Sequence, residues 1–396
     1  MRILKVSDVS FPRVNGVSTS IQTFRRSLAE LGHESVLVAP QYPATAAPDD
    51  GETIRVPAHG VPRDPEDRFM SYRRTLALCP ELARRGFDVL HVHTPFVAHY
   101  AGVALARRLG IPVVETYHTF FEEYLHHYVP LLPRGATRLL ARRLSVNQCR
   151  QVDALVVPSQ QMRATLDQYG VRTRMEVLPT GIDLGRFCGG DGAAFRARHG
   201  IAARRPVLVH ISRVAHEKNI DFVLEALVQV RLAVPDVLLV IAGEGPALEH
   251  VQRLAARLGL TANVLFVGYL ERSGALLDCY RAGDAFVFAS RTETQGLVLL
   301  EALALGVPVV STAVMGTVDV LREVRGALIA PDNVGGFAAT IVRVLSDPAL
   351  RARLAAAAPA DAAAWSAGAM AERLLDLYRE LVLARAGAPA LGAAAL

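Results

Sequence analysis

The chain has 396 residues, of which 51% are hydrophobic and 20% are charged, and its formal net charge is +5. This length predicts two or three domains, and the apolar residues are spread in short runs that suffice for two ordinary cores. No run of about 20 apolar residues occurs, which argues against a membrane-spanning helix.

The four cysteines, Cys79, Cys149, Cys188 and Cys279, are scattered without metal-site or disulfide spacing. The chain starts in a strand pattern instead of the apolar core of a secretory leader. We therefore expect a reduced, cytoplasmic protein. The excess of positive charge lies in the N-terminal half, where it could face nucleic acid, anionic lipid or solvent.

The N-terminal half alternates between strand-like and helical patterns. An apolar strand pattern over residues 3–6 is followed by a loop and by an amphipathic helix over residues 18–31, which ends at Gly32. Further strands are predicted over residues 35–39, 89–92, 112–116, 154–158 and 175–178, and further helices over residues 72–85, 97–109, 136–150 and 160–169. This alternation predicts a parallel sheet with helices on both faces.

A glycine-rich loop after residue 182 predicts a linker, and the alternation then restarts. Strands are predicted over residues 207–211, 237–242, 264–267, 285–288, 307–311 and 327–330. We therefore predict an α/β chain with two doubly wound domains, whose ligands bind at the carboxyl ends of the strands in a shared cleft. The predicted boundaries are residues 1–187 and 188–368 for the domains, 369–385 for a helix that crosses back to the first domain, and 386–396 for a flexible tail.

Residues 293–301 read Glu-Thr-Gln-Gly-Leu-Val-Leu-Leu-Glu and place two carboxylates around a loop-to-helix junction with Gly296 at the turn. The free N–H groups of a helix start favour an anion, and carboxylates accept hydrogen bonds from the vicinal hydroxyls of a ribose or a hexose. A phosphate beside two sugars describes a nucleotide-sugar. An isolated pair with this spacing is more often one helix acid and one solvated glutamate, so the interpretation depends on the rest of the chain.

Arg213 and Lys218 lie in the loop that follows the predicted strand at residues 207–211. Two cations before a helix start suit a diphosphate. Lys5 and Lys218 are the only lysines of the chain, so an ammonium in place of arginine indicates a special role, with a solvated loop charge as the alternative. No dinucleotide fingerprint follows the first strand and no P-loop is present, and no Asp-x-Asp pair offers ligands to a metal.

Together these residues resemble the large family of retaining glycosyltransferases with a Glu-x7-Glu motif and two Rossmann-like domains that face each other across a cleft, the GT-B fold. The resemblance covers nearly the whole chain, and Ser212 stands where the family usually has glycine. It includes, besides residues 293–301, Asn15-Gly16-Val17, His91-x-His93-x-Pro95, Arg213, Lys218, Gly243-Glu-Gly-Pro and Trp365.

The resemblance implies a role for each matching residue. Arg213 and Lys218 would hold the donor diphosphate, the backbone of Gly16 would approach the distal phosphate, and Glu301 would bind the ribose hydroxyls. The base would lie near Val267 and Gly268. The donor hexose would be held by Glu293 and by the backbone of Thr294, Gln295, Gly296, Leu297 and Val298.

The resemblance also implies transfer of the sugar with retention of configuration and without a metal. Front-side attack requires no protein nucleophile, so the protein would contribute positioning and stabilisation of the leaving diphosphate. His118, in the sequence Thr116-Tyr-His-Thr, matches a family position that meets the donor sugar and the reaction centre. The predicted catalytic residues are therefore His118, Glu293, Arg213 and Lys218.

The acceptor is suggested by the run that continues from His118. Glu122-Glu123-Tyr124 and His127-Tyr128 resemble the diacylglycerol glucosyltransferases of the family. No acid occurs between Glu123 and Asp153, and the predicted helix there is basic and amphipathic, which is typical of an element that binds an anionic membrane surface. Its basic residues are Arg134, Arg138, Arg142, Arg143 and Arg150. The alternative is a packed helix with a solvated arginine face.

We therefore predict a transferase of the cytoplasmic membrane face that moves a hexose, in our interpretation glucose from UDP-glucose, to diacylglycerol or a related lipid. Nucleic acid is not expected, because no basic platform is interleaved with aromatic residues. Three alternatives remain open: a transferase that uses GDP-mannose or another UDP-sugar and acts on another lipid-linked or soluble acceptor, a nucleotide-sugar epimerase on the same scaffold, and a non-enzymatic interaction protein.

Overall fold

The structure is a computed structural model, and it describes residues 1–13, 15–42, 52–61, 64–118, 134–271, 274–293 and 295–387. These residues form two compact units. The first contains Met1–Gly181 together with the C-terminal segment from Ala367, and the second contains Ile182–Ser366.

The first unit is built on a parallel sheet. Its strands are β1 (Arg2–Val6), β2 (Glu34–Pro40), β3 (Thr53–Val56), β4 (Ala58–Val61), β5 (Asp64–Met70), β6 (Val89–Val92), β7 (Val113–Thr116), β8 (Ala154–Val157) and β9 (Arg174–Val177). Seven of them pair in the order β3-β2-β1-β6-β7-β8-β9, and β4 and β5 form a separate antiparallel pair. Sequence patterns missed β3, β4 and β5, because this stretch is interrupted by Pro57, Gly60 and Pro62 and has no sustained apolar alternation.

Among the described residues, the helices that precede the second unit are α1 (Gly16–Glu30), α2 (Tyr72–Ala77), α3 (Cys79–Arg85), α4 (Val97–Leu109), α5 (Arg134–Cys149) and α6 (Gln160–Tyr169). The side chain of Asn15 accepts from the N–H of Ser18 in a capping box, so α1 begins two residues before the predicted position at residue 18. The stretch predicted to be helical over residues 72–85 is helical in the structure but is not one continuous helix. It divides into α2 and α3 because Pro80, in the first turn of α3, has no N–H to continue the hydrogen bonding of α2.

The second unit repeats the arrangement, and the strands in its described residues are β10 (Val207–Ile211), β11 (Leu238–Ala242), β12 (Val264–Gly268), β13 (Ala285–Phe288), β14 (Val309–Ser311) and β15 (Ala327–Ile329). All pair in parallel in the order β12-β11-β10-β13-β14-β15. The strand order reverses between β10 and β13, which is where ligands of such sheets bind. The unit's helices are α7 (Gly192–Arg198), α8 (Ile220–Ala233), α9 (Leu248–Arg257), α10 (Ala275–Ala282), α11 (Leu297–Ala304), α12 (Thr317–Leu321), α13 (Val334–Ser346) and α14 (Pro348–Ala363).

The last helix, α15 (Ala367–Gly387), belongs to the first unit. Its buried residues Leu374 and Tyr378 join Ile3 and Phe24 in one apolar cluster. The boundary predicted after residue 187 differs from the structure, in which the second unit already starts at Ile182, because the N–H of Ile182 donates to the Trp365 carbonyl at 2.8 Å. Residues 388–396 of the predicted tail lie outside the described residues.

The inner strands of both sheets are short and buried on both faces, as expected of parallel sheets covered by helices, whereas the edge strands β3, β9, β12 and β15 are partly exposed. The predicted α/β class with two doubly wound units is therefore confirmed. Within the part of the chain that the structure describes, every helix is too short or too polar to cross a membrane.

Candidate active site

In the second unit, the loops that follow β10 and β13 are hydrogen-bonded to each other. Asn219 Nδ2 donates to the carbonyl of Ala289 at 3.0 Å, and Ser290 Oγ donates to the carbonyl of Glu217 at 3.1 Å. Asn219 takes a left-handed conformation with φ 56° at the start of α8, a backbone geometry that asparagine tolerates better than most residues. These contacts hold the predicted phosphate loop against the predicted sugar loop.

Across this junction, Lys218 Nζ lies 2.5 Å from Glu293 Oε2. The two side chains are only 20% and 19% exposed, so their ion pair is screened less than a surface pair. The structure thus brings together the residues predicted for the donor diphosphate and the donor hexose, which are 75 positions apart. Arg213 leaves the same loop but is 62% exposed, and its nearest carboxylate is that of Glu217 at 4.0 Å.

The glycine turn after β11 packs against the backbone of the Arg213 loop. A Cβ at Gly243, which has φ +132°, would collide with the carbonyl oxygen of Ser212. The N–H of Val214 donates to the carbonyl of Glu244 at 2.8 Å. The glycine is therefore required by the protein's own backbone, and the turn supports the Arg213 loop from behind.

The residues predicted to lie near the base occupy the end of β12. The N–H of Gly243 donates to the carbonyl of Gly268 at 2.8 Å, and Gly268 has a positive φ of 68°. An added Cβ at Gly268 would lie 3.7 Å from Glu244 Oε1. Val267 and Gly268 therefore adjoin the glycine turn, at the carboxyl end of the sheet.

Glu301 is held from a neighbouring helix by a residue that sequence reasoning missed. Tyr280 Oη, in α10, donates to Glu301 Oε2 in α11 at 2.7 Å, and both side chains are buried. Tyr280 follows Leu276 and Leu277 in a helical apolar pattern, and the pattern alone does not distinguish a core tyrosine from one that orients a carboxylate.

Helix α11 begins at the centre of the Glu-x7-Glu motif. Gly296 precedes its first residue with φ +89° and offers no side chain to cap the helix, so the N–H groups of the first turn, which starts at Leu297 and Val298, keep their preference for an anion. Gln295 is buried beside this turn. Thr294 lies outside the described residues.

In the first unit, His118 follows β7 and lies against His93, which follows β6. Their rings are 5.7 Å apart between centroids, with His93 Nδ1 at 3.5 Å from His118 Nε2. Burial lowers the pKa of His118 to about 4, with the charge of Lys5 as the second cause. Gly16 is the first residue of α1, and no heavy atom lies within 4 Å of a Cβ added there.

The predicted membrane element is α5. Arg142 and Arg143 are exposed, and Arg142 Nε donates to the carbonyl of Tyr169 at 3.1 Å. The side chains of Arg134 and Arg138, like the run from residue 119 to residue 133 with its acids, tyrosines and histidines, lie outside the described residues. Among the described side chains, no three histidines, cysteines or acids are grouped as a metal site.

Comparison with known proteins identifies the family. The chain matches the sequence model of Glycosyltransferase Family 4 over residues 14–186 and that of Glycosyl transferases group 1 over residues 191–361. The alpha-monoglucosyldiacylglycerol synthase of Streptococcus pneumoniae is 35% identical over 320 residues, which are 78% of this chain and 71% of that protein. The protein of the same name from Acholeplasma laidlawii is 28% identical over 318 residues, 78% of this chain and 80% of that one.

The solved structure of Anabaena HepE in complex with UDP has the same fold. It matches with a TM-score of 0.75 and 18% identity, over 96% of this chain and 100% of that chain. The chain belongs to the group 1 glycosyl transferases with the GT-B fold, and the protein is accordingly a glycosyltransferase. The predicted fold and enzyme class are confirmed.

Proposed function

We propose that this glycosyltransferase transfers glucose from UDP-glucose to diacylglycerol, with retention of configuration and without a metal, at an anionic membrane surface. The observation that carries the proposal is the 35% identity with the Streptococcus pneumoniae protein, whose name states the product monoglucosyldiacylglycerol. The clustering of Lys218, Glu293 and the start of α11 supports a donor with a diphosphate and a hexose.

The Lys218–Glu293 pair supplies charge and position together. An ammonium has three N–H donors, so Lys218 can keep its bond to Glu293 while it donates to a diphosphate oxygen. The leaving diphosphate gains charge in the transition state, and a half-buried ammonium stabilises that charge more than a solvated one does. Glu293 then accepts hydrogen bonds from hydroxyl groups of the hexose. The same ion pair sets the position of the Glu293 side chain.

The nucleoside half of the donor is assigned to the end of β12 and to Glu301. A carboxylate can accept hydrogen bonds from both hydroxyls of a ribose. The hydrogen bond from Tyr280 fixes the orientation of the Glu301 side chain. The base is assigned to the backbone at Val267 and Gly268, which leaves the diphosphate to Arg213, Lys218 and the start of α11.

The membrane surface is assigned to α5. Each basic side chain near an anionic leaflet contributes roughly 1 kcal/mol, so Arg134, Arg138, Arg142 and Arg143 together give reversible attachment. Reversible attachment suits an enzyme that takes a water-soluble donor and a membrane-embedded acceptor.

The test is an assay of the purified protein with UDP-glucose, GDP-mannose and other nucleotide-sugars in the presence of vesicles that contain diacylglycerol. We expect α-linked glucosyldiacylglycerol from UDP-glucose, formed equally well with a chelator. Transfer only to a soluble acceptor would contradict the assignment of diacylglycerol as acceptor. Turnover only of GDP-mannose would contradict the assignment of UDP-glucose as donor. Formation of an epimerised nucleotide-sugar without an acceptor would show that the enzyme is an epimerase and not a transferase.

A further inference from the structure

Three imidazole rings follow one another in the first unit, with His91 stacked on His93 and the edge of His93 facing His118, and we call them the histidine column. The rings of His91 and His93 are 4.2 Å apart, and those of His93 and His118 are 5.7 Å apart, with interplanar angles of 27° and 26°. His91 and His93 are almost fully buried, and His118 is half-buried at the end of the column.

The inner end of the column is fixed on both sides. His91 Nδ1 lies 2.5 Å from Tyr378 Oη in α15, and His91 Nε2 lies 2.7 Å from Thr116 Oγ1 in β7. Both ring nitrogens of His91 are thus held by hydroxyl groups, which sets the plane of its ring. The stacking passes this orientation to His93.

The column is uncharged near neutral pH. Burial lowers the pKa of His91 and of His93 well below 6.5, and the nearby charges of Lys5 and of the other imidazoles act in the same direction. Lys5 is fully buried in β1 and pairs in register with His91. Among the described residues, Lys5 Nζ has no hydrogen-bond partner.

A neutral imidazole carries one proton, and the surroundings of His93 decide which nitrogen holds it. His93 Nε2 is buried and forms no hydrogen bond within the described part of the chain, whereas His93 Nδ1 faces His118 Nε2 at 3.5 Å. A proton on Nε2 would be a buried N–H without an acceptor, which is the rarer and costlier kind of unsatisfied group. The proton therefore lies on Nδ1, and His93 donates to His118.

The tautomer of His118 follows from that of His93. Because His118 Nε2 accepts from His93, the single proton of a neutral His118 lies on Nδ1. We propose that His93 is a positioning residue that holds His118 in the Nδ1–H tautomer, so that His118 donates a hydrogen bond to a substrate oxygen and does not act as a general base.

This inference rests on the proposed function for the role of His118, but the tautomer itself does not depend on turnover. In the transfer, the bond from the sugar C1 to the diphosphate oxygen breaks and the bond from C1 to the acceptor oxygen forms. With no base at His118, the acceptor's proton passes to the leaving diphosphate oxygen.

The tautomer can be read directly with the nucleotide-free enzyme. Nitrogen-15 NMR distinguishes a protonated ring nitrogen from a bare one, and the spectrum of His118→Asn identifies the His118 signals. We expect a protonated Nδ1 and a bare Nε2 in His118 at neutral pH, with no titration between about pH 5 and pH 8. A proton on Nε2, or titration within that window, would overturn the inference even in an enzyme that turns over.

Amide substitutions test the same point in turnover, since the asparagine amide nitrogen overlies Nδ1 of histidine and the glutamine amide nitrogen overlies Nε2. His118→Asn should retain more of kcat than His118→Gln, and His93→Asn more than His93→Gln. His93→Leu should lower kcat about 10- to 100-fold, by analogy with loss of the partner that orients a metal-binding histidine, and should change the tautomer of His118.

Two controls separate this proposal from neighbouring explanations. Melting temperatures of the His93 variants identify any that fail to fold. For such variants the kinetic test is dropped, and the tautomer measurement on the wild type decides. Equal loss in the asparagine and glutamine variants, with an unchanged His118 tautomer in His93→Leu, would reduce His93 to a packing residue. If no nucleotide-sugar is turned over by the wild type, the proposed function fails while the NMR result still stands.

Discussion

At the scale of single residues, Lys218 and Glu293 form one ion pair. The ammonium and the carboxylate are 2.5 Å apart and are mostly shielded from water. Removal of either partner leaves the other as a partly buried charge without its counterpart, which is costlier than the loss of an exposed pair. In the proposed function the same ammonium also donates to the leaving diphosphate, so its loss is expected to slow the reaction as well.

We therefore expect Lys218→Ala to lower kcat about 10²- to 10³-fold, as removal of one transition-state donor does, and to lower the melting temperature, because Glu293 is left as a partly buried charge without its counterpart. Lys218→Arg is the matched control, because it keeps the charge but not the compact geometry of an ammonium, and it should be intermediate. Steady-state kinetics and thermal unfolding measure both. Turnover of the alanine variant at the wild-type rate would remove Lys218 from the donor site.

The Tyr280–Glu301 bond gives a second residue-scale prediction. Tyr280→Phe removes one hydroxyl and keeps the buried ring, so the apolar packing of α10 persists while Glu301 loses a bond that orients it. Hydrogen bonds to a charged group contribute about 1.5–3 kcal/mol, and we expect UDP to bind at least about tenfold more weakly. Calorimetry with UDP and with its 3′-deoxy analogue checks this, since an unchanged preference between the two would mean that Glu301 does not bind the ribose.

Lys5 makes stability depend on pH. Burial, followed by the charge of Arg25, lowers the pKa of Lys5 from 10.5 to about 7. Between these values the unfolded chain holds a proton that the native chain has released, so the free energy of unfolding rises with pH across this window. Lys5→Met should be more stable than the wild type below about pH 7, and the difference should vanish above about pH 10.5.

Urea denaturation across that range measures the difference between the two proteins. The other titrating groups are shared, and His91, His93 and His118, whose pKa values Lys5 helps to lower, are lowered below the range compared, so these groups cancel in the comparison. A difference that is independent of pH would show that Lys5 keeps its ordinary pKa in the native state.

At the scale of elements, helix starts supply the candidate anion sites. Helix α11 begins at Gly296 without a side-chain cap, and α1 begins at Gly16 directly after the capping residue Asn15. Both starts lie where a strand of a parallel sheet has ended, which is the usual place for a ligand of such folds. Glycine contributes differently at the two helix starts. Gly296 adopts a left-handed φ, and Gly16 leaves open space in front of the backbone.

Gly16→Ala tests that open space. No atom of the protein opposes the added methyl group, and alanine is favoured over glycine in a helix by up to about 1 kcal/mol, so stability should be kept or raised. The value of kcat/KM should fall, because the methyl group hinders the approach of the distal phosphate. Gly32→Ala, at the other end of α1 with φ +79°, should show the opposite pattern of lower stability and unchanged kinetics.

At the scale of the whole molecule, charge and connectivity are distributed unequally. The first unit holds both the basic helix α5 and the final helix α15, whose Tyr378 contacts His91 from 287 positions away in sequence. The second unit holds the Glu-x7-Glu motif and the lysine with which it pairs. Each unit has its own parallel sheet and core, so substitutions in one core are expected to leave the other intact.

Membrane binding is the prediction at this scale. The double substitution Arg142→Gln/Arg143→Gln removes two exposed charges from α5, and at roughly 1 kcal/mol each binding to anionic vesicles should weaken about thirtyfold. Arg107→Gln/Arg108→Gln removes the same charge from the last turn of α4 and should weaken binding less. Vesicle sedimentation at low and high salt measures the binding of both double variants. If both lose vesicle binding equally, the binding depends on net charge and not on α5.

The amino-acid sequence alone predicts the α/β class, most strands of both sheets and the Glu-x7-Glu motif, because apolar periodicity and turn residues are local properties of the chain. It did not predict the β4–β5 pair or the break between α2 and α3, where that periodicity is weak or a proline interrupts it. Only the tertiary structure brought Lys218 to Glu293, Tyr280 to Glu301 and Tyr378 to His91. These contacts join segments that are far apart in sequence, and they depend on strand order and helix packing, which no local pattern encodes.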